Sequence, residues 1–297
     1  SWTRGMTIDD AAGTAEISGD AIAMSNPSPL ELDTIKADRI NLEFTPLSNP
    51  SGDTARAFQR ARATAAEGQI VRVESQRFLA GTTNTARTLD RLVYLEGKTV
   101  AIDDPAGRVE VPGPGKLLVD DRRTSSQPEA QPSPDEIPSL GTARGSTLFS
   151  WTGGLTFDRH LGLLTFASDP AGQSTRLLHR SAPGEPMIAL DARTLEANLQ
   201  LEDSNAGQPA LDGRAQLLSA RALGDVDVAF QTQRLQAERL NYDALTGRAE
   251  AAVDSADGRV VLSDPSKPQP ISARRLSWDL RENRVTITEP APIVIPR

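Results

Sequence analysis

The residues able to do chemistry in this chain are few, and their spacing decides what they can do. Acidic pairs stand at Asp9-Asp10, Asp103-Asp104 and Asp120-Asp121. Paired carboxylates can serve general acid–base catalysis. Adjacent residues of a strand, however, point to opposite faces, and each pair lies beside a turn signal. They read as solvated turn residues. The run Asp158-Arg159-His160 has the types for proton transfer, but no nucleophile elbow accompanies it. The second histidine, His179, lies in Arg176-Leu-Leu-His-Arg180 and reads as an exposed strand residue. Asp254, Asp257 and Asp264 offer oxygen ligands without the loop spacing of a calcium site. Gly113-Pro-Gly115 lacks the Lys-Ser/Thr and the helix of a phosphate loop. With no cysteine, disulfides, thiolate metal sites and Cys nucleophiles are excluded. The chain reads as a non-enzyme without metal or cofactor.

The elements that would have to position such groups are strands. Val226, Val228 and Phe230 alternate with polar or small residues, as do Val285 and Ile287, and Leu240 and Tyr242. That period of two marks strands with one buried face. Leu245-Thr-Gly247, Asp257-Gly258, Pro105-Ala-Gly107 and Glu282-Asn283 punctuate them as turns. Thr54–Gly68, rich in Ala and Arg, is compatible with a short helix, a loop or a strand extension. No apolar run reaches the roughly 20 residues of a membrane-spanning helix. Among 297 residues, aromatics are 4%, so the core must come from Val, Leu, Ile and Ala. The net charge of -8 argues against nucleic acid, which needs a basic surface. Only four of the 32 basic residues are lysine, a bias that reads as genome composition. Ser1 reads as a boundary inside a longer chain, with any targeting or membrane-anchored segment upstream.

Residues 122–142 carry Pro128, Pro132, Pro134 and Pro138 among Ser, Gln and Glu. This segment cannot bury a core and reads as a linker or disordered loop. It divides the chain into modules at 1–121 and 143–297.

Self-similarity is the most informative feature. Leu235-Gln-Ala237-Glu-Arg239-Leu240-Asn-Tyr242-Asp243 aligns without a gap on Ile271-Ser-Ala273-Arg-Arg275-Leu276-Ser-Trp278-Asp279, 36 residues later. In both, a turn and a strand opening on Arg248-Ala249 or Arg284-Val285 follow. Ile35-Lys-Ala37-Asp-Arg39-Ile40-Asn-Leu42 is a close copy, and Leu190-Asp-Ala192-Arg-Thr-Leu195 a looser one. Arg91–Tyr94 and Leu155–Asp158 keep only the second half of the unit. By its place in the unit, Asp158 is the counterpart of Asp243 and Asp279, a turn-initiating residue. Positions 1 and 3 of the unit share one parity, and 6 and 8 the other. A bend between the small Ala and the Leu would turn both pairs inward. Stacked units then make an elongated antiparallel sheet folded over an apolar interior.

This unit resembles the repeat of the OstA-like lipopolysaccharide-transport proteins, the family of LptA, LptC and the periplasmic part of LptD. Leu235–Ala249, Ile271–Ile287 and Ile35–Phe44 carry the resemblance best. It implies an all-β fold, an elongated antiparallel β-jellyroll bent over like a taco, here in two modules. It implies a periplasmic, non-enzymatic protein that shields the acyl chains of a lipid or glycolipid. It also implies docking to other envelope jellyroll proteins by edge-strand pairing. On that reading the lipid groove is formed by Ile40, Leu42, Leu155, Phe157, Leu235, Leu240, Tyr242, Ile271, Leu276 and Trp278. Aromatics at these positions, with Trp151, either plug the core or line the groove. Arg39, Arg239 and Arg275 should face outward, pairing with Asp and Glu across strands in preference to meeting phosphates at a rim. The chain departs from a minimal member in its two halves, its linker, the turn Val111–Gly115 and its acidic charge. Two other readings stand beside this one. One is a structural envelope scaffold with a closed core. The other is a carbohydrate-active β-solenoid enzyme, which would need a carboxylate cluster that the repeat does not supply.

Overall fold

A computed structural model describes residues 1, 3–26, 28–45, 57–79, 88–122, 145–201, 215–279, 282 and 284–290. The linker expected at 122–142 lies outside them except for Arg122.

The chain is all-β and antiparallel, an elongated jellyroll. Its first strands are β1 Gly5–Asp9, β2 Thr14–Ser25, β3 Glu31–Phe44, β4 Phe58–Thr64, β5 Val71–Phe78, β6 Leu89–Gly97, β7 Thr99–Asp103, β8 Arg108–Pro112 and β9 Gly115–Asp121. There follow β10 Gly145–Trp151, β11 Gly154–Asp158, β12 Leu163–Ala167, β13 Thr175–Arg180, β14 Ile188–Ala192 and β15 Thr194–Leu201. The last are β16 Ala215–Phe230, β17 Gln233–Asp243, β18 Arg248–Ala252, β19 Val260–Ser263, β20 Ile271–Asp279 and β21 Arg284–Pro290. Within the Ala- and Arg-rich stretch, residues 58–64 are strand β4 and a turn follows at 67–68. Ala61 and Ala63 of β4 face the core, and the Arg60 and Arg62 side chains alternate outward.

The strands form two leaves. Leaf A runs β1-β2-β3-β4-β7-β8-β11-β12-β15-β16-β17-β18-β20-β21. Leaf B runs β2-β3-β5-β6-β9-β10-β13-β14-β16-β17-β19-β20. The long strands β2, β3, β16, β17 and β20 belong to both and cross from one leaf to the other at a bend. In β2 the bend is Gly19-Asp20 and in β16 it is Gly224-Asp225, all with positive φ. Opposite them the register skips Asp38 and Glu238. This is the phase flip expected between Ala and Leu or Ile of the repeat, delivered as a β-bulge. Gly224 is obligatory twice over: its φ is +73° and an added Cβ would lie 2.9 Å from the Arg193 side chain. Arg193 closes the bend, its N–H donating to the Leu223 and Gly224 carbonyls and its guanidinium pairing with Asp225. The Val111–Gly115 turn is the same crossing made between two short strands, β8 and β9. Gly115 leaves room there for Trp151, whose ring an added Cβ would meet at 2.5 Å.

The two halves of the chain share both leaves. β8 pairs with β11 in leaf A and β9 with β10 in leaf B. Buried side chains from both leaves and both halves make one apolar core.

Away from the bends, leaf A ends in hairpins of one design. Asp9, Asp103, Asp158, Asp243 and Asp279 each accept the N–H three residues on, at 2.9–3.1 Å. Backbone donation holds Asp243 below the usual carboxylate range, and Ala106 N–H with Arg60 does so for Asp103. Asp9, Asp103 and Asp158, read from the sequence as turn residues, are turn caps.

Candidate functional site

The inner faces of the leaves are built from registered rows. One row of leaf A runs Ile17, Ile40, Ala63, Val100, then Val111, Leu155, Phe166, Leu195, Ala222, Leu240, Ala251, Leu276, Ile287. The row beside it includes Ala15, Leu42, Ala61, Ile102, Val109, Phe157, Leu164, Ala197, Ala220, Tyr242, Ala249, Trp278 and Val285. Leaf B answers with Ala23, Ile35, Val73, Leu95, Leu117, Phe149, Leu177, Leu190, Val228, Leu235, Leu262 and Ile271. All ten residues named from the sequence lie in these rows, along the full length of the interior. They are spread along the interior: eight belong to the single apolar core, and Leu42 and Ile271 pack against it.

The interior is not uniform. In the C-terminal half the leaves leave an apolar cavity of about 130 Å³. Phe149, Phe166, Leu177, Leu190, Phe230, Leu235, Leu240, Tyr242 and Trp278 are among its walls. Four of the ten expected residues therefore border it: Leu235, Leu240, Tyr242 and Trp278. Phe166 bridges the leaves, stacked on Phe149 at 4.4 Å and tilted against Trp151 at 5.4 Å. Toward the C-terminal end lies a separate, half-polar pocket of about 540 Å³. Leu262, Ile271 and Val285 line it together with Asp264, Lys267, Glu282 and Arg284. Ile40, Leu42, Leu155, Phe157 and Leu276 pack in the core away from that cavity.

In the N-terminal half the inner face of leaf B ends in charge. Glu31, Arg77, Arg91 and Asp121 register side by side across β3, β5, β6 and β9. Arg77 donates from Nε to Glu31 at 3.0 Å. Glu31 and Asp121 are buried. This corrects the expectation for Asp120-Asp121: Asp121 faces inward at the end of β9, while Asp120 pairs with Arg122 at 2.8 Å. One step deeper, burial pushes the Asp33 carboxyl up; a hydrogen bond with Ser75 draws it back in part, and the charge of Glu31 raises it again. A carboxyl with a raised folded-state pKa favours the fold below its unfolded pKa and loses that contribution as pH rises through the folded value. Asp33→Asn is therefore expected to raise the melting temperature at pH 7 and to have little effect at pH 3. An equal shift at both pH values would contradict the burial argument.

His179 is the second correction. It is buried, not exposed, on the inner face of β13. It shares a row with Thr147, Ile188 and Phe230. The sequence hides this because Leu177 and Leu178 are both apolar and leave the parity of β13 undefined; pairing fixes it, with Leu177, His179 and Thr175 inside. On the outer face, Arg39 pairs with Glu16, Arg239 with Asp254 and Arg275 with Glu250, the cross-strand arrangement expected. Asp254 is thus engaged, and Asp264 caps Ser266. Among the described residues no group of three His, Cys, Asp or Glu could hold a metal ion. No helix among them is long and apolar enough to cross a membrane.

No protein-family model matches the chain, and no curated protein matches it. Among solved structures it is similar to LptH of Pseudomonas aeruginosa, titled the LptA homologous periplasmic component of the conserved lipopolysaccharide transport device. The identity is 12% and the TM-score 0.35, over 58% of this chain and 93% of that one. The fold assignment rests on the strands and registers given above.

Proposed function

We propose that this chain is a non-enzymatic lipid-handling protein of the periplasm that shelters acyl chains between its two leaves. The observation that carries this reading is the cavity between leaves A and B, whose exposed lining is almost wholly apolar. Each methylene moved from water into such a space contributes roughly 0.8 kcal/mol. A cavity of this size compares with the ~150 Å³ space that takes up benzene, so it admits a short stretch of chain. The remainder would lie toward the pocket lined by Ile271, Lys267 and Arg284, where a head group stays wet. The ten lining residues form the shelter, with Leu235, Leu240, Tyr242 and Trp278 in contact with the chain. The two modules, 1–121 and 143–297, then play unequal parts.

Partners are expected at the edges. β1 exposes Met6 and Ile8, and β21 exposes Ile287, and these residues continue the inner rows of leaf A. An edge strand of another envelope jellyroll protein, added to either end, would prolong the apolar interior. A scaffold reading remains, favoured by the charged row Glu31–Arg77–Arg91–Asp121 that bounds the N-terminal interior. Native mass spectrometry of the purified chain, with organic extraction of what co-purifies, separates the two. A lipid at defined stoichiometry is expected. An empty protein that takes up neither phospholipid nor lipid A would leave the scaffold.

A further inference from the structure

The cavity between the leaves has a built end. Phe149 of β10 and Phe166 of β12 come from opposite leaves and stack at 4.4 Å with their planes 7° apart. Both rings border the cavity. Behind them, toward the N-terminal half, the interior is filled. Leu117 registers with Phe149 and Leu155 with Phe166, and Trp151 tilts against Phe166 at 5.4 Å. Leu117, Leu155 and Trp151 are at most 7% exposed, and none of them borders the cavity.

Away from the stack the space runs across the strands. Leu177 is half-buried between the buried Thr175 and His179 of the same face, and Val228 between the buried Val226 and Phe230. The surface that Leu177 and Val228 keep therefore faces the space between the leaves. Leaf A contributes Ala197, Ala220 and Ala249 there, whose short side chains leave the room. Glu196 and Arg221 also border the cavity. They alternate with inward Leu195, Ala197, Ala220 and Ala222, and they pair with each other at 4.0 Å on the outer face. At the far end the walls include Leu235 and Trp278. Their register neighbours Leu262 and Val285 line the half-polar C-terminal pocket, where Lys267 and Arg284 stand.

We propose that the Phe149–Phe166 stack is the stop of a single-ended slot and sets the length of alkyl chain that the protein accepts. The terminal methyl of the chain meets the rings, and the polar end points to the C-terminal pocket. This rests on the lipid-handling reading and narrows it. The protein holds the tail of one chain, which enters and leaves by the same end, and does not pass it through to the N-terminal half. By comparison with the ~150 Å³ space that takes up benzene, 130 Å³ holds about six carbons.

The test uses the whole chain and the primary alcohols from butanol to dodecanol, uncharged probes that differ only in length. Calorimetry reads their affinities. Each carbon that enters the slot is expected to tighten binding about fourfold, and the gain to fall below about twofold once the chain reaches the rings. Phe166→Ala vacates the room of one ring and is expected to move that break to longer alcohols. Phe149→Leu, a milder change at a half-buried position, should move it the same way. Octan-1-ol isotope-labelled in its terminal methyl is expected to show nuclear Overhauser contacts to the assigned Phe149 and Phe166 ring protons. If neither variant folds, these contacts decide, and their absence in the wild type would overturn the stop. A break that stays in place in both folded variants would also overturn it, as would affinity that climbs evenly to dodecanol. So would a protein that binds no alcohol yet takes up phospholipid or lipid A. Each of these results leaves lipid handling standing. No binding of alcohols, phospholipid or lipid A would overturn both.

Discussion

Leu276→Asp is expected to remove the cooperative unfolding transition at pH 7. Leu276 is fully buried on β20, in register with Ala251 on one side and Ile287 on the other. None of these neighbours can pair with a carboxylate. Burial of such a group shifts its pKa by up to 3–5 units, each unit being about 1.4 kcal/mol. The lost leucine contacts add to that, so the cost is about 4 kcal/mol or more, at the severe end for a single substitution. The sign of its pH dependence follows. An aspartate raised by burial binds its proton more tightly in the fold, so the damage should lessen toward pH 3. Ser272→Asp, on the exposed face of the same strand, is the control and should cost under about 0.5 kcal/mol. Urea unfolding followed by circular dichroism reads both. A Leu276→Asp midpoint equal to wild type would show that the second half of the repeat does not face inward.

That experiment tests the part of the structure most legible in the sequence. The repeat places Leu235 and Ala237 on one parity and Leu240 and Tyr242 on the other, and only a bend reconciles them with one interior. The bend is there at Glu238, opposite Gly224-Asp225. The signal for its partner strand was also present, since Gly-Asp recurs at Gly19-Asp20 and Gly224-Asp225, and both pairs adopt positive φ. It went unread because a Gly-Asp pair also suits an ordinary turn. The five Asp-capped hairpins of leaf A were legible for a related reason: the cap is local, three residues long, and needs no tertiary context. What depends on pairing between distant strands was not legible. Nothing in residues 108–158 announces that β8 meets β11 and β9 meets β10, which carries both leaves across the middle of the chain. Asp121 and His179 were misplaced because polar residues at strand ends look solvated until the neighbouring strands define their face. The cavity is likewise a sum of side-chain volumes over many strands, set where Phe149, Phe166, Phe230 and Trp278 share a lining with alanines such as Ala197, Ala220 and Ala249.

Phe166→Ala carries the second large effect and links stability to binding. Phe166 is the bulkiest of the side chains with essentially no exposure. From leaf A it reaches Phe149 and Trp151 of leaf B, so it ties the leaves at the cavity wall. Truncation removes its transfer free energy and leaves a void, a combined cost of about 3–5 kcal/mol. The void would merge with the existing space, because the ring is part of that wall. Two consequences separate this site from an ordinary core position. The variant should gain affinity for a compact apolar ligand such as benzene, as dry enlarged cavities do. Saturating ligand should then restore stability by mass action, about 2.7 kcal/mol at a hundredfold excess over Kd. Calorimetry with and without ligand reads both terms. A cost below about 1 kcal/mol would mean that the leaves do not share a core at Phe166. A large cost with no recovery by ligand would mean that the leaves collapse onto the void, and the interior would then be too pliant to hold a preformed site.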